Sequence, residues 1–160
     1  MNSEVTNVVV AGLGGQGVLK ASDIVAEAAF RAGLDVKKSE VHGMSQRGGS
    51  VASDVRFGRE VLSPMVPPGE ADFLVVVDDG QIETNRHILR RGGILIHPGM
   101  IDLGRLASKR SLNVALVGAL SAWLAIPEED WLAAVRASLG EHLHAANLTA
   151  FQLGRAAVQK

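Results

Sequence analysis

The sequence contains no cysteine, and aromatic residues make up only 4% of it. Without cysteine, this chain can form no disulfide and can offer no thiolate to an iron–sulfur cluster or a zinc ion. The five histidines do not lie at a ligand spacing with nearby acids; His142 and His144, for example, would point to different faces of a helix. We therefore expect no metal site in this chain, and any redox metal should belong to another polypeptide.

Excess charge of one sign and long apolar segments are also missing. The 16 basic and 17 acidic residues give a formal net charge of -1, so nucleic acid is not an expected partner. No apolar segment reaches the roughly 18 residues that a membrane-spanning helix needs. The first residues, MNSEVTN, lack the basic and then apolar pattern of a signal peptide. These features predict a cytoplasmic protein with no membrane partner.

The length and the order of apolar segments indicate the fold class. A chain of 160 residues is the usual size of one domain, and we expect a single domain over residues 1–160. Buried, β-branched strands alternate with helical patterns, which is typical of α/β proteins. The sequence therefore predicts an α/β, three-layer, Rossmann-like domain with a mixed, mainly parallel sheet and a helical C-terminal region.

The hydrophobic pattern also predicts the individual elements. Strands are expected at 8–10, 35–41, 50–57, 71–77 and 94–96, and helices at 18–32, 81–89, 113–126, 128–139 and 141–158. The segment 113–126 has the pattern of an amphipathic helix. Gly58 suggests a tight hairpin turn, after which residues 60–62 would pair back on the strand 50–57. The prolines at 64, 67 and 68 make the next segment extended and unable to join a ladder fully.

A glycine-rich turn follows the first buried strand and opens directly into a helix. Gly12, Gly14 and Gly17 lie at the G-x-G-x-x-G spacing, and the start of a helix is a ready site for a phosphate or carboxylate. The nearest candidate for a ribose-binding acid is Glu40, but it leads into an unusual loop rather than a simple turn. Two interpretations stay open: a nucleotide site, or a turn that lets strand and helix pack or meet another polypeptide.

The loop HGMSQRGG, at residues 42–49, is the second unusual segment. It combines a histidine, a serine, an amide and an arginine with three glycines. Such a loop could fold its N–H groups around an anion, with Arg47 as a fork-shaped donor to a carboxylate or phosphate. It could equally be a solvent-exposed loop in which Arg47 forms a surface ion pair.

Several segments together carry a resemblance to a known family. They are GLGGQGV, EVHGMSQRGGSVASDVRFG, the acidic pair after a buried strand, Asn113 with Gly118, and Asn147-x-x-Ala150-Phe151-x-x-Gly154. Together they resemble the gamma-type domain of 2-oxoacid:ferredoxin oxidoreductases over nearly the whole chain. The HGMSQRGG form is most similar to the beta subunits of the indolepyruvate ferredoxin oxidoreductases.

The resemblance implies a subunit that binds no cofactor by itself. Thiamine diphosphate and the iron–sulfur clusters would lie on a large partner subunit, coenzyme A would be used in the complex, and ferredoxin would receive the electrons. The reaction would be oxidative decarboxylation of an arylpyruvate or another 2-oxoacid to an acyl-coenzyme A. The isolated chain is expected to be inactive.

The resemblance also implies the site residues, which fall in the turn and in the loop. The candidates that would contact the partner or a cofactor are Gly12, Gly14, Gly15, Gln16, Gly17, Ser45, Gln46, Gly48 and Gly49. His42 and Arg47 are candidate catalytic residues, and His42, Gly43 and Met44 complete the loop. Two alternatives remain: a small nucleotide-dependent dehydrogenase, and a stand-alone nucleotide- or CoA-binding regulatory module with the same fold.

Overall fold

A computed structural model describes residues 5–42 and 49–159 of the chain. These residues form a five-stranded sheet with α-helices packed on it. In chain order the elements are β1 (Val5–Leu13), α1 (Val18–Arg31), β2 (Asp35–His42), β3 (Ser50–Gly58), β4 (Ala71–Val76), α2 (Ile82–Asn85), β5 (Leu89–Ile96), α3 (Leu112–Ser121), α4 (Glu128–Ser138) and α5 (His144–Val158).

The strand order in the sheet is β2-β3-β1-β4-β5. Strand β1 pairs with β4 in parallel, and β4 pairs with β5 in parallel. Strand β3 pairs antiparallel with both β1 and β2. Of the five described strands, β3 is therefore antiparallel to the other four. The prediction of a mixed, mainly parallel sheet is confirmed.

The two faces of the sheet are covered unequally. Alternate residues of β1, such as Val8 and Val10, pack in one large core with α1, α3, α4 and α5. Val9 and Ala11 point to the other face, where a smaller core includes Val66 from the segment before β4. Because successive residues of a strand alternate between faces, an all-apolar β1 buries side chains on both. The α/β architecture with a helical C-terminal region is as the sequence predicts.

Helix α1 ends at Arg31, one residue before the predicted end at residue 32. Gly33 follows in the turn, and its φ of +89° is in the left-handed region. The N–H of Gly33 donates to the carbonyl of Phe30, and the N–H of Leu34 donates to that of Ala29, at 3.0 and 3.1 Å. This pair of bonds is a Schellman motif, which satisfies the last helical carbonyls and turns the chain toward β2.

Helices α3 and α5 approach each other so closely that their backbones touch. A Cβ atom added at Gly118 would lie 2.0 Å from the carbonyl oxygen of Phe151, and one added at Gly154 would lie 1.7 Å from that of Ala115. Neither position can hold a side chain without moving a helix. The C-terminal residues that carried part of the resemblance, Gly118 and Ala150-Phe151-x-x-Gly154, therefore have a packing role.

The predicted hairpin after β3 is wrong. No strand forms at residues 60–62, and Gly58 does not have a positive φ. Both edges of β3 are already occupied, by β1 on one side and β2 on the other, so no returning strand can pair with it. The chain instead crosses to β4 through an irregular segment that contains the three prolines, as expected.

The predicted helices at 113–126 and 81–89 differ from the observed ones. Helix α3 ends at Ser121, and its residues from Asn113 to Ser121 are all buried, so it is not amphipathic. It lies between the sheet and α5, and an apolar helix in that position needs no polar face. The segment before β5 contains only the four-residue α2 between 3₁₀ turns, and β5 begins at Leu89 rather than residue 94.

Candidate functional site

The glycine turn lies where the chain changes direction across the sheet. From β1 the chain passes through α1 to β2 on one side, whereas β4 and β5 lie on the other. In open α/β sheets, ligands bind outside the carboxyl ends of strands at such a switch point. The N–H of Val77 donates to the carbonyl of Ala11 at 2.9 Å, which holds the end of β4 beside the end of β1. The turn and the pair Asp78–Asp79 therefore share this edge of the sheet.

Glycine is required in the turn for two different reasons. Gly15 and Gly17 have φ values of +89° and +80°, which side chains rarely allow. Gly12 has ordinary backbone angles, but a Cβ atom there would lie 2.9 Å from a methyl group of Val18. The turn is thus bent by two of its glycines, and a third lets α1 pack against β1.

A chain of hydrogen bonds joins the turn to the end of β4. The N–H of Leu13 donates to Oε1 of Gln16 at 2.7 Å, and Nε2 of Gln16 donates to Oδ2 of Asp78 at 2.7 Å. The other carboxylate oxygen, Oδ1 of Asp78, accepts from the N–H of Gly80 at 2.8 Å. We call this connection the Gln16 clasp, consisting of Leu13, Gln16, Asp78 and Gly80.

Asn113, at the start of α3, holds the other end of the turn. Its Nδ2 donates to the carbonyl oxygen of Gly17 at 3.0 Å. A Cβ atom on Gly17 would lie 2.4 Å from that Nδ2, so the amide fits only against glycine. The side chain is buried, and its Oδ1 has no hydrogen-bond partner within the described ranges. Gly17 therefore provides both a left-handed backbone and space for Asn113.

A cleft of about 480 Å³ opens beside the turn. Lys109 and Arg110 bring two positive charges to its wall, and no carboxylate is among the described residues that line it. The first turn of α1, which begins next to it, contains no acidic residue either. Because a helix start carries a partial positive charge, all these features favour an anion in the cleft. Its lining residues are Gly15, Gln16, Gly17, Val77, Lys109, Arg110, Leu112 and Asn113.

The structure brings together only part of the predicted site. Gly12, Gly14, Gly15, Gln16 and Gly17 form one turn, and the N–H of Gly14 donates to the carbonyl of Gly49 at 2.8 Å, which places the end of the 42–49 loop beside it. The other loop candidates lie outside the described residues, namely Ser45, Gln46, Arg47 and Gly48, together with the side chain of His42.

Glu40 does not reach the glycine turn. It lies on β2 opposite Ser53, and β3 separates β2 from β1. Its carboxylate instead forms an ion pair with Lys38 at 3.1 Å. In a dinucleotide fold the second strand lies next to the first, which places its terminal acid near the ribose. The inserted β3 prevents that arrangement, so the interpretation of Glu40 as a ribose-binding acid is wrong.

Several residues that line or hold the site are not predicted as site residues by the sequence. Asp78 and Asn113 were visible only as parts of motifs, and their contacts with the turn span 62 and 96 residues of sequence. Lys109 and Arg110 carry no motif at all. The available signal for Asp78 was its place directly after a buried strand, because carboxyl ends of parallel strands share one edge.

Three groups with displaced pKa values lie away from the cleft. A hydrogen bond from a backbone N–H lowers the pKa of Asp35, and burial raises the pKa of Asp54. Burial alone would lower the pKa of Lys38, but its bonds to Asp23 and Glu40 raise it overall. None of these groups is among the lining residues of the cleft, whose geometry suits binding more than proton transfer.

The described part of the chain has neither a cluster of metal ligands nor a membrane-spanning helix. In residues 5–42 and 49–159, no group of three or more His, Cys, Asp or Glu side chains is placed to hold a metal ion. No helix in the same ranges has both the length and the apolar character needed to cross a bilayer.

The fold and the site together define an α/β protein with a glycine turn at the switch point of a mixed sheet. The sequence model of the pyruvate ferredoxin/flavodoxin oxidoreductase family matches residues 7–157. Subunit IorB of an indolepyruvate oxidoreductase from Thermococcus kodakarensis is 35% identical, over 92% of this chain and 93% of that one. The chain belongs to the pyruvate ferredoxin/flavodoxin oxidoreductase family.

Other relatives and solved structures are consistent with this membership. The IorB subunit from Pyrococcus horikoshii is 44% identical over 67% of this chain and 55% of its own. The gamma subunit of a keto/oxoacid ferredoxin oxidoreductase from Geobacter sulfurreducens has a TM-score of 0.82 at 23% identity, covering 96% and 98% of the two chains. At that identity the likeness shows the fold.

One solved structure contains a polypeptide much longer than this chain, and the match covers only part of that polypeptide. The 2-oxoglutarate:ferredoxin oxidoreductase from Magnetococcus marinus, with 2-oxoglutarate, coenzyme A and succinyl-CoA bound, has a TM-score of 0.82 at 24% identity. The match covers 99% of this chain but 32% of that one. The same fold thus forms about a third of a longer polypeptide in that enzyme.

Proposed function

We propose that this chain is the non-redox subunit of a thiamine diphosphate-dependent 2-oxoacid:ferredoxin oxidoreductase that acts on indolepyruvate or another arylpyruvate. The observation that carries the proposal is the match to the IorB subunit over more than nine-tenths of both chains. The proposal treats residues 1–160 as one gamma-type domain, working in the cytoplasm with a large partner subunit.

In this proposal the redox chemistry belongs to the partner. This chain supplies no cysteine for an iron–sulfur cluster, so it does not fit as the cluster-binding subunit. In the overall reaction the substrate loses its carboxylate as carbon dioxide, its acyl group passes to the thiol of coenzyme A, and two electrons pass to ferredoxin. Thiamine diphosphate, when bound to the partner, would supply the carbanion chemistry for the first of these steps.

The contribution of this chain is a wall of the active-site cleft. The turn at the edge of the sheet is held by hydrogen bonds, and the carbonyl of Gly49 joins it to the adjoining loop. The residues of the turn are Gly12, Gly14, Gly15, Gln16 and Gly17. We assign Ser45, Gln46 and Gly48 to the same wall. Arg47 and His42 are the candidates to reach the reacting groups, Arg47 through a fork-shaped contact with the substrate carboxylate.

The isolated chain should show no turnover, and adding the large subunit should restore it. The test is arylpyruvate-dependent reduction of ferredoxin in the presence of coenzyme A, measured for each subunit and for the purified complex. Pyruvate and 2-oxoglutarate serve as competing substrates that define the class.

In the complex, Arg47→Ala should lower the rate of ferredoxin reduction. Arg105→Ala, which removes an exposed positive charge outside the loop, should not. A chain that stays a solitary monomer or homodimer with the partner present would contradict the assignment.

A second candidate function is a stand-alone module that binds coenzyme A or a nucleotide. The observation that favours it is the cleft beside the turn, which Lys109 and Arg110 line together with Gly17, the residue before α1. Phosphate groups fit this donor set, because helix N–H groups and basic side chains bind anions without needing a catalytic pair. The function needs no partner, which separates it from the first proposal.

Replacing both Lys109 and Arg110 should weaken the binding of phosphate-bearing ligands by at least about tenfold, since charged hydrogen bonds contribute more than neutral ones. The measurement is a calorimetric titration with coenzyme A of the isolated parent chain and of the double variant Lys109→Ala with Arg110→Ala. The double variant Arg91→Ala with Arg105→Ala removes the same charge elsewhere and should bind as the parent does. Absence of binding to the parent chain at millimolar ligand would end this candidate.

A further inference from the structure

The Gln16 clasp can exist with only one orientation of the Gln16 amide. The backbone N–H of Leu13 can only donate, so the amide oxygen of Gln16 must face it. The amide NH₂ group then faces Asp78, whose ionised carboxylate can only accept. A donor fixes one end of the chain of bonds and an acceptor fixes the other, which gives it a single direction.

Both oxygens of Asp78 are committed to the clasp. Oδ2 accepts from Gln16 and Oδ1 accepts from the N–H of Gly80. An asparagine at this position has one acceptor oxygen and would leave one donor facing an NH₂ group. The neighbouring Asp79 is exposed, and within the described residues no side-chain hydrogen bond or ion pair involves it. The two adjacent carboxylates therefore have different roles.

The turn needs such a connection because its sequence is unusually flexible. Glycine loses more conformational entropy on ordering than other residues, and the turn contains Gly14, Gly15 and Gly17 around a single side chain. That side chain, Gln16, contacts β1 through Leu13 and the end of β4 through Asp78. Without the carboxylate, the link between the two strand ends through Gln16 would be lost.

We propose that Asp78 is the positioning residue of the glycine turn: acting through Gln16, it fixes the turn in the one shape that the partner subunit recognises. Asp78 does not touch substrate in this scheme. The inference rests on the proposed function for the identity of the partner, whereas the effect of Asp78 on the turn is a property of this chain alone.

A compensating pair of substitutions tests the direction of the clasp. Asp78→Asn alone removes an acceptor, and Gln16→Glu alone sets two carboxylates against each other. Combined, they restore every bond: the carboxylate introduced at position 16 accepts from Leu13 and from the amide introduced at position 78, which still accepts from Gly80. The pair also keeps the net charge of the parent chain, so a rescue reports the hydrogen-bond pattern itself.

The first readout is hydrogen exchange at the amide of Leu13, measured on the whole chain. Each single variant should speed its exchange by about tenfold or more, and the double variant should return it to within about threefold of the parent rate, since a lost hydrogen bond of about 1.4 kcal/mol is a factor of ten. Asp79→Asn is the matched control and should change nothing. Unchanged exchange in Asp78→Asn would overturn the proposal.

The second readout is affinity for the large subunit and the ferredoxin-reduction rate of the complex. Both single variants should weaken assembly by about tenfold, and the double variant should recover it. If the singles loosen Leu13 but assemble and turn over as the parent does, the partner does not recognise the turn and the proposal is wrong. If the parent chain binds no large subunit, the proposed function fails, and the exchange data still decide whether Asp78 positions the turn.

Discussion

Replacing Gly154 by alanine should lower the free energy of unfolding by about 3 kcal/mol or more, because the new methyl group would enter the backbone of α3. The added Cβ atom would lie 1.7 Å from the carbonyl oxygen of Ala115 and 3.0 Å from the N–H nitrogen of Ala119. In an ordinary helix interior the same change is favourable by up to about 1 kcal/mol, so the sign itself is diagnostic. Thermal unfolding should show a melting temperature lower by about 6–12 °C.

The matched control is Gly104→Ala, in an exposed turn. Its added Cβ atom would lie 3.4 Å from Oδ1 of Asp102, an ordinary contact, and Gly104 does not have a positive φ. The free energy of unfolding should change by less than about 0.5 kcal/mol. Gly118→Ala should behave like Gly154→Ala, because its Cβ atom meets the backbone of Phe151 at 2.0 Å. Parent-like melting of Gly154→Ala would mean that α3 and α5 are not in backbone contact.

Replacing Gly17 by alanine should damage both the turn and its support at α3. The left-handed backbone costs a side chain about 1–2 kcal/mol, and the Cβ atom would also meet Nδ2 of Asn113 at 2.4 Å. Asn113 would have to move and release the carbonyl of Gly17. We expect a loss of about 3 kcal/mol in urea unfolding, together with weaker assembly with the large subunit.

Two other glycines separate the backbone effect from the site effect. Gly15 and Gly33 both have a φ of +89°, and a Cβ atom at either would meet no atom of the described residues within 4 Å. Gly15→Ala and Gly33→Ala should therefore cost the same, about 1–2 kcal/mol. Only Gly15 lies in the turn, so only its variant should impair assembly with the large subunit. Equal assembly defects in both variants would show that lost stability, and not the turn, explains them.

The sequence predicts where the helices and strands lie along the chain better than it predicts which of them are neighbours in the fold. The apolar run of β1 and the periodicity of α1 locate both elements within a few residues, because burial on both faces of a strand or on one side of a helix leaves a local pattern. The hairpin after β3 fails because a turn residue such as Gly58 says nothing about which strands already occupy the edges of β3. The extent of α3 fails because a fully buried helix has no polar stripe to mark its faces.

The candidate site also has one part that the sequence predicts and one part that it does not. The glycine turn is predicted because its residues are adjacent in the chain. The side chains that hold it, Asp78 and Asn113, are brought to it by the order of the strands and by the packing of α3, which no local pattern encodes. Glu40 illustrates the reverse error: its distance along the sequence suits a dinucleotide fold, but the inserted β3 moves it away from the turn.

The position of β1 in the sheet also affects how the chain is made. A ribosome releases β1 well before β3 and β4, the two strands that flank it in the sheet: Val8 pairs with Val55 on one edge and with Phe73 on the other. Until then, the apolar segment Val8–Val10 has two open edges, which is the condition that favours aggregation of nascent chains. Production of this protein should therefore be sensitive to chaperone supply and to the rate of translation through β3 and β4.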